Sequence, residues 1–368
     1  MYPEFSRYTG MRIELEGYAT NYTDMWVTED NFTDFGDTIV LPRQFLPEYK
    51  NPCWYVYKED QSPMLRCLPY FYVLGMEKSG TTDLYATLIK HPHIVKPGIK
   101  DPLWITSCHF LRNKSLARGC EGESWRFDWY LDIFQVAADS IQTMAYGGEV
   151  NPYITGDFSQ ESFFRWQMAS DYIKSHQDTL QYKSVPEFLF MLNKKVKLIV
   201  TLRNPTDRLY SDFGMVMKER ATPDLFHRSV IEAIKLWNNC VSKHSELICA
   251  AMDTNLHQNF WRTVRLHMGA YHIYFKEWLK VFPRDQILVI KFEDYARNRS
   301  GIMAKITDFL ELEPYQDEKS INSMRVYNSG KKMSIWNKTR SLLTTFYNPH
   351  NEELAELLED THFLYTSN

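Results

Sequence analysis

Residues 70–90 read YFYVLGMEKSGTTDLYATLIK, and this stretch decides the fold. The β-prone run at 70–74 ends at Gly75 and predicts a short buried strand. The segment 82–90 predicts a helix, because its apolar side chains recur at helical spacing, as do Leu84, Tyr85 and Leu88. A strand, a glycine loop and a helix therefore follow one another.

Residues 75–82, which we call the phosphate loop, have the composition of an anion cradle. They combine glycines for close backbone approach, hydroxyl groups, Lys78 and the start of a helix. The loop is not a Walker A motif, because Lys78 precedes Gly80, whereas the Walker lysine follows the second glycine. A magnesium-dependent phosphotransferase is thus the weaker interpretation, and an ordinary Gly-Thr-Thr helix cap is the structural alternative.

Two further strand–helix pairs complete the prediction of an α/β fold. The run 196–202 is almost continuously apolar, as in a central strand of a parallel sheet, and a helix follows Arg203-Asn204-Pro205. The run 286–290 is also followed by a helical pattern. No repeat or long linker interrupts the chain. We therefore predict an irregular N-terminal extension or stem at 1–66 and one catalytic domain at 67–368.

Composition narrows the classes of partner and compartment. A formal net charge of −4 gives no global electrostatic case for a nucleic-acid binder. No apolar stretch is long enough to span a bilayer, so membrane attachment would require an anchor that the sequence does not show. An aromatic content of 15% suits stacking on bases or sugar rings, and equally core packing.

Cysteine spacing and glycosylation sequons favour a secretory compartment over the cytosol. Six cysteines fall into local couples that favour disulfides but leave the connectivity open: Cys53 with Cys67, Cys108 with Cys120, and Cys240 with Cys249. No C-x-x-C pair indicates zinc or a redox site. Asn-x-Ser/Thr sequons begin at Asn21, Asn31, Asn113, Asn298 and Asn337.

Two segments resemble the signature motifs of the Golgi carbohydrate sulfotransferases. They are YVLGMEKSGTT at 72–82 and LIVTLRNPTDRLYSD at 198–212, each at a strand end. The resemblance implies a P-loop-like sulfotransferase fold, with a central, mostly parallel sheet flanked by helices. Within the family, the likeness is closest to enzymes that sulfate N-acetylgalactosamine 4-sulfate in chondroitin and dermatan. It extends over residues 50–365 and includes 66–69, 100–104 and the Cys240/Cys249 couple.

The resemblance also implies a donor and its ligands. The donor would be 3'-phosphoadenosine-5'-phosphosulfate, with a carbohydrate acceptor and no metal. Lys78 would contact the phosphosulfate bridge and stabilise the charge that develops on the leaving phosphate oxygen. The 5'-phosphate would be held by Ser79, Gly80, Thr81 and Thr82, the 3'-phosphate by Arg203 and Ser211, and a basic loop over the nucleotide would carry Lys331 and Lys332.

A carboxylate should accept the proton of the acceptor hydroxyl as it attacks sulfur. Related enzymes place a glutamate in a Lys-Glu-Pro-His segment, and the equivalent residue here is Asp101, on a shorter side chain and without the histidine. Glu149 is the second candidate, although a turn-forming role fits it better than a catalytic one. His91 and His93 flank a proline, and we interpret them as capping and turn residues.

Two alternatives remain beside a carbohydrate sulfotransferase. One is a sulfotransferase for a small hydroxylated acceptor, because cytosolic relatives share the loop. The other is a binding-only relative in which Asp101 no longer works as a base. The sequence predicts that Lys78 and Arg203 share one cleft in either case.

Overall fold

The computed structural model describes residues 32–34, 37–39, 41–57, 62–109, 126–165, 184–255, 264–315, 321–322 and 334–365. Its centre is a parallel four-stranded sheet in the order β6-β5-β7-β8. Two antiparallel hairpins, β1-β2 and β3-β4, lie outside this sheet. The strands are β1 Phe32–Asp34, β2 Asp37–Ile39, β3 Cys53–Val56, β4 Met64–Cys67, β5 Phe71–Gly75, β6 Gly156–Asp157, β7 Lys197–Leu202 and β8 Ile287–Lys291.

Helices connect and cover the strands. The α-helices are α1 Thr81–Leu88, α2 Phe127–Ile133, α3 Gln135–Thr143, α4 Val185–Leu192, α5 Pro205–Met217, α6 Pro223–Val241, α7 Glu246–Asn255, α8 Tyr271–Leu279, α9 Phe292–Arg297, α10 Arg299–Phe309 and α11 Asn337–Leu358. Short helical turns lie at Lys218–Arg220, Leu266–Gly269, Arg284–Gln286 and Thr361–Leu364, and a π-helical turn lies at Trp104–His109.

The predicted α/β architecture is confirmed, and the three predicted strands appear as β5, β7 and β8 within one or two residues of the expected bounds. Strand β6 was not predicted, because two residues are too few to produce a hydrophobic pattern. The helix after β7 begins at Pro205, where Asn204 caps it by accepting hydrogen bonds from the next turn.

Side chains alternate across the sheet, so both of its faces are buried. Tyr72 and Leu74 point into the larger core, which includes residues of α4, α8 and α11. Phe71 and Val73 point into a second core, built mainly with α1 and α10. Helices on both faces explain why the strands are apolar at nearly every position.

The β3-β4 hairpin packs against α3 through a small cluster that contains Leu46, Leu65 and Ala138. A disulfide joins Cys53 to Cys67 across the hairpin, and a second joins Cys240 to Cys249 between α6 and α7. Two of the predicted cysteine couples are therefore confirmed. Cys120 lies outside the described residues, so the third couple and the extent of the predicted stem at 1–66 stay predictions.

Within the described ranges, no helix combines the length and the apolar character that a membrane crossing requires.

Candidate active site

The phosphate loop leaves β5 at the carboxyl edge of the sheet and is tied to the neighbouring strand β7. The N–H of Met76 donates to the carbonyl of Thr201 at 2.8 Å, and Thr201 Oγ1 donates to the carbonyl of Gly75 at 2.9 Å. Gly80 has a φ of +82°, and a Cβ at this position would lie 2.6 Å from the ring of Phe292. Left-handed backbone and this close approach both require glycine. The loop is thus a tight turn fixed from two sides.

Lys78 carries the positive charge of the loop. Its Nζ lies 3.6 Å from Sδ of Met215 on α5. Among the described residues, no carboxylate comes within salt-bridge distance of this ammonium group. The charge is therefore available to an anion bound in the loop.

Three hydroxyl groups follow Lys78 and differ in their surroundings. Ser79 Oγ is buried and has no hydrogen-bond partner within the described ranges, whereas Thr81 Oγ1 donates to Gln160 Oε1 at 2.7 Å. Thr82 is half-buried in the first turn of α1, and the cap residue Gly80 offers no side chain to the helix N-terminus. A hydrogen-bond acceptor would stabilise both the uncapped N–H groups at the start of α1 and the buried Ser79 hydroxyl. These residues therefore fit a phosphate group.

Arg203 follows β7 and reaches the phosphate loop directly. Its guanidinium donates a 3.0 Å hydrogen bond to the carbonyl oxygen of Lys78, and it lies 5.0 Å from the ring centre of Phe292. Its own carbonyl accepts a hydrogen bond from the hydroxyl of Tyr271 at 2.8 Å. Arg203 and Lys78 are therefore in direct contact, as the predicted shared cleft requires.

Ser211 lies on α5 and is half-buried. Met215, whose sulfur contacts Lys78, is one helical turn further along, and residues four apart share a helix face. The structure thus brings Ser211 to the side of α5 that borders the phosphate loop.

Behind the loop lies a charged network that sequence reasoning missed. Arg265 donates to Glu77 Oε2 at 2.9 Å and to both oxygens of Asp212, the bond from Nε measuring 2.9 Å. Arg208, which is fully buried, lies 3.6 Å from the same aspartate. Burial works to raise the pKa of Asp212, but Arg208 and Arg265 outweigh it and hold the pKa below its ordinary value. No local sequence pattern predicts this network, because 188 residues separate Glu77 from Arg265.

Asp101 lies near the phosphate loop in a left-handed backbone conformation, with a φ of +53°. Its Oδ2 forms an ion pair with Lys100, whose Nζ lies 5.7 Å from the ring centre of Tyr85 on α1. Oδ1 is buried and, in the part of the chain that is described, has no partner. Burial raises the pKa of Asp101, and the negative charge of Glu77 raises it further, against the opposing effect of Lys100. A carboxyl of raised pKa with one orphaned oxygen can accept a proton from a bound hydroxyl.

A second carboxyl near Asp101 was not predicted. Asp157, at the end of β6, accepts hydrogen bonds from the hydroxyl of Tyr130 at 2.9 Å and from the N–H of Ser159 at 2.8 Å. Burial raises the pKa of Asp157 to about 6, and the charge of Asp101 contributes to this rise. Ser159 Oγ accepts from the N–H of Leu103 at 3.0 Å, so this cluster fixes the segment that follows Asp101.

The structure does not bring Glu149 to this group. Glu149 is exposed in a bend just before Asn151, whose carbonyl accepts a hydrogen bond from the N–H of Lys50. This bend precedes the amino end of β6, whereas the phosphate loop follows the carboxyl end of β5, its parallel neighbour. The geometry therefore supports Asp101 over Glu149. The predicted basic residues Lys331 and Lys332 lie outside the described residues.

His91 and His93 form the turn after α1, as predicted. His91 Nδ1 accepts from the N–H of His93 at 3.1 Å, and the other ring nitrogen lies 2.8 Å from the carbonyl oxygen of Glu313. These contacts are structural.

The chain is similar to known proteins in sequence and in fold. The sulfotransferase domain model matches residues 69–354. Carbohydrate sulfotransferase 15 of Mus musculus is 29% identical over 380 residues, which cover 89% of this chain and 66% of that protein. Bifunctional heparan sulfate N-deacetylase/N-sulfotransferase 4 of Mus musculus is 24% identical over 343 residues, which cover 87% of this chain and 33% of that protein. The chain thus spans just under two thirds of the first relative and a third of the second.

Solved structures share the fold. A sulfotransferase from Alicyclobacillus acidocaldarius superposes with a TM-score of 0.50 at 21% identity, over 80% of this chain and 96% of that chain.

Proposed function

This chain belongs to the sulfotransferase family, and we propose that it moves a sulfuryl group from 3'-phosphoadenosine-5'-phosphosulfate to a hydroxyl of a glycosaminoglycan-type sugar. The observation that carries the proposal is the contact between Arg203 and Lys78, which brings the two motifs together. An anion-binding turn and a guanidinium suit a donor that carries phosphate groups at both ends of its nucleoside.

Lys78 and the hydroxyls after it would hold the phosphosulfate end. The ammonium of Lys78 can stabilise negative charge on the bridging oxygen as the sulfur–oxygen bond breaks, which is an interaction strongest in the transition state. Ser79 Oγ, buried and orphaned, would donate to the 5'-phosphate beside the N–H groups of Gly80, Thr81 and Thr82.

Arg203 and Ser211 would hold the 3'-phosphate. Stacking on Phe292 and the hydrogen bond to the loop orient the Arg203 guanidinium, so little of its freedom remains to be lost on binding. Lys331 and Lys332 complete the proposed nucleotide site as a basic segment over the donor.

Asp101 would accept the proton of the attacking hydroxyl. Its orphaned Oδ1, its raised pKa and its position near Glu77 support this role. The acceptor oxygen forms the new bond to sulfur, its proton passes to Asp101, and 3'-phosphoadenosine 5'-phosphate leaves. Because an aspartate is one methylene shorter than the glutamate of related enzymes, the acceptor should approach closer to Asp101 than to such a glutamate.

A sulfated galactosaminoglycan is the acceptor that we favour. Both relatives compared above are named for carbohydrate or heparan sulfate substrates. The segments 66–69, 100–104 and 208–212 resemble those of enzymes that act on N-acetylgalactosamine 4-sulfate in chondroitin and dermatan, and this resemblance supports the same acceptor here. The two disulfides support an oxidising compartment, and we propose the Golgi lumen.

Transfer of radiolabelled sulfate to a panel of chondroitin, dermatan and heparan chains tests the proposal. We expect label on 4-sulfated chondroitin or dermatan, recovered as a 6-O-sulfated disaccharide after enzymatic digestion. Label on small phenols alone would select the small-acceptor enzyme. Donor binding without transfer to any acceptor would select a binding-only relative, and activity that depends on ATP and magnesium would contradict the proposal.

A further inference from the structure

Away from the phosphate loop, three side chains converge where α7, α8 and α11 meet. They are Glu246, His272 and His350, and the two histidines are almost completely buried. His272 Nε2 lies 2.9 Å from His350 Nδ1. The carboxylate of Glu246 lies 3.6 Å from the first of these nitrogens and 3.7 Å from the second.

The distances of Glu246 from the two histidine nitrogens match the spacing of ligands around a metal ion better than hydrogen bonds to a carboxylate. Bonds of about 2.0–2.1 Å around a tetrahedral zinc ion set its ligand atoms about 3.3 Å apart. The three separations, 2.9, 3.6 and 3.7 Å, lie on both sides of that value. Glu246 is beyond hydrogen-bond length from both nitrogens: its Oε2 lies 3.6 Å from His272 Nε2, and its Oε1 lies 3.7 Å from His350 Nδ1.

A further carboxylate lies beside the first histidine. Glu353 Oε2 is 3.1 Å from His272 Nδ1, and Lys276 fixes Glu353 with a contact of 2.5 Å. His272 Nδ1 is buried and makes no hydrogen bond among the described residues, so Glu353 is the carboxylate placed to support it in a carboxylate–histidine–zinc arrangement.

We propose that Glu246, His272 and His350 bind a zinc ion, with Glu353 as the supporting carboxylate. Two imidazoles and one carboxylate form a ligand set that zinc prefers. The Glu246 side chain is 41% exposed, which leaves the fourth position accessible to water. The sequence prediction of a metal-free protein is revised by this proposal. No sequence motif revealed the site, because 78 residues separate the two histidines.

The ion would be structural and would brace the nucleotide side of the molecule. It ties α7 and α11 to the start of α8, where Tyr271 donates to the carbonyl of Arg203. The Cys240–Cys249 disulfide, which joins α6 to α7, restrains the segment that carries Glu246. None of these residues is among those proposed to bind the sulfuryl donor, so the zinc site does not depend on the proposed function.

Zinc binding by the full-length chain tests the proposal. The protein is dialysed against a chelator and then titrated with zinc against a chromophoric competitor, with metal content and thermal unfolding followed in parallel. We expect about one zinc ion per chain and a higher midpoint of unfolding in its presence. Glu246→Gln, at a partly exposed position that the fold tolerates, should weaken binding by more than about 100-fold, and Glu353→Gln by about 10–100-fold.

Glu352→Gln is the matched control. Glu352 is exposed on α11, the helix that carries His350 and Glu353, and it has the same charge as the glutamates of the proposed site. It should bind zinc as the unaltered chain does. A chain that takes up no zinc, or Glu246→Gln and His350→Gln variants that bind it as tightly as Glu352→Gln, would overturn the proposal.

Discussion

The guanidinium of Arg203 donates a hydrogen bond of 3.0 Å to the carbonyl oxygen of Lys78. The two residues are 125 positions apart, and the sheet brings them together, because β5 and β7 are parallel neighbours whose carboxyl ends share an edge. Each strand is followed at once by its functional segment. The two motifs therefore meet at the carboxyl edge of the sheet.

Removing the ammonium of Lys78 should abolish most of the transfer without unfolding the protein. We expect Lys78→Ala to lower the rate of sulfuryl transfer by about 100–1,000-fold, as for the loss of one preorganised donor to developing charge. Lys90→Ala is the control, because Lys90 is exposed just beyond the other end of α1. Equal rates for the two variants would contradict the role of Lys78.

Glycine at position 80 should be irreplaceable. The φ of +82° and the ring of Phe292, 2.6 Å from a Cβ, predict that Gly80→Ala destabilises the fold by about 1–3 kcal/mol and weakens donor binding. Gly214→Ala, where a Cβ meets nothing within 4 Å inside α5, should instead stabilise the protein by about 0.5–1 kcal/mol. Urea unfolding measures both free energies, and a Gly80→Ala variant as stable as Gly214→Ala would refute the strained turn.

Asp101 should control the acidic limb of the pH–rate profile. Burial raises the pKa of Asp101 and the charge of Glu77 raises it further, while Lys100 opposes both effects. Because the base must be ionised, kcat/KM should fall as the pH drops through a pKa above the ordinary aspartate value.

We expect Asp101→Asn to lower the rate by about 100–10,000-fold and to remove this limb. Glu149→Gln, at the exposed alternative position, should leave both the rate and the profile unchanged. The reverse result would make Glu149 the base.

The buried ion pairs of Arg265 with Glu77 and Asp212 should contribute strongly to the free energy of unfolding. Arg265→Met leaves Glu77 and Asp212 without their shared partner, so we expect a loss of about 3–5 kcal/mol in the free energy of unfolding. The exposed pair of Arg228 with Asp224 is the comparison, and Arg228→Ala should cost less than about 1 kcal/mol. Similar midpoints of unfolding for the two variants would show that the network adds little.

Local patterns predicted the central strands and the phosphate loop because each is a continuous segment with its own signal. The apolar run at 196–202 indicates a buried strand, and the glycines of the phosphate loop indicate a tight turn. Strand β6 was not predicted because it is too short to show the alternation of apolar and polar residues typical of a strand. The pairing of Glu77 with Arg265 could not be predicted because it depends on how the fold brings together two loops that are 188 residues apart.

The most direct test of the shared cleft is calorimetric binding of 3'-phosphoadenosine 5'-phosphate to the unaltered chain, Lys78→Ala, Arg203→Ala and the double variant. The account predicts that the unaltered chain binds the nucleotide. It also predicts that Arg203→Ala weakens binding by at least about tenfold and that the two changes are not additive, because the side chains share one site. A chain that does not bind the nucleotide, or an Arg203→Ala variant with unchanged affinity, would contradict it.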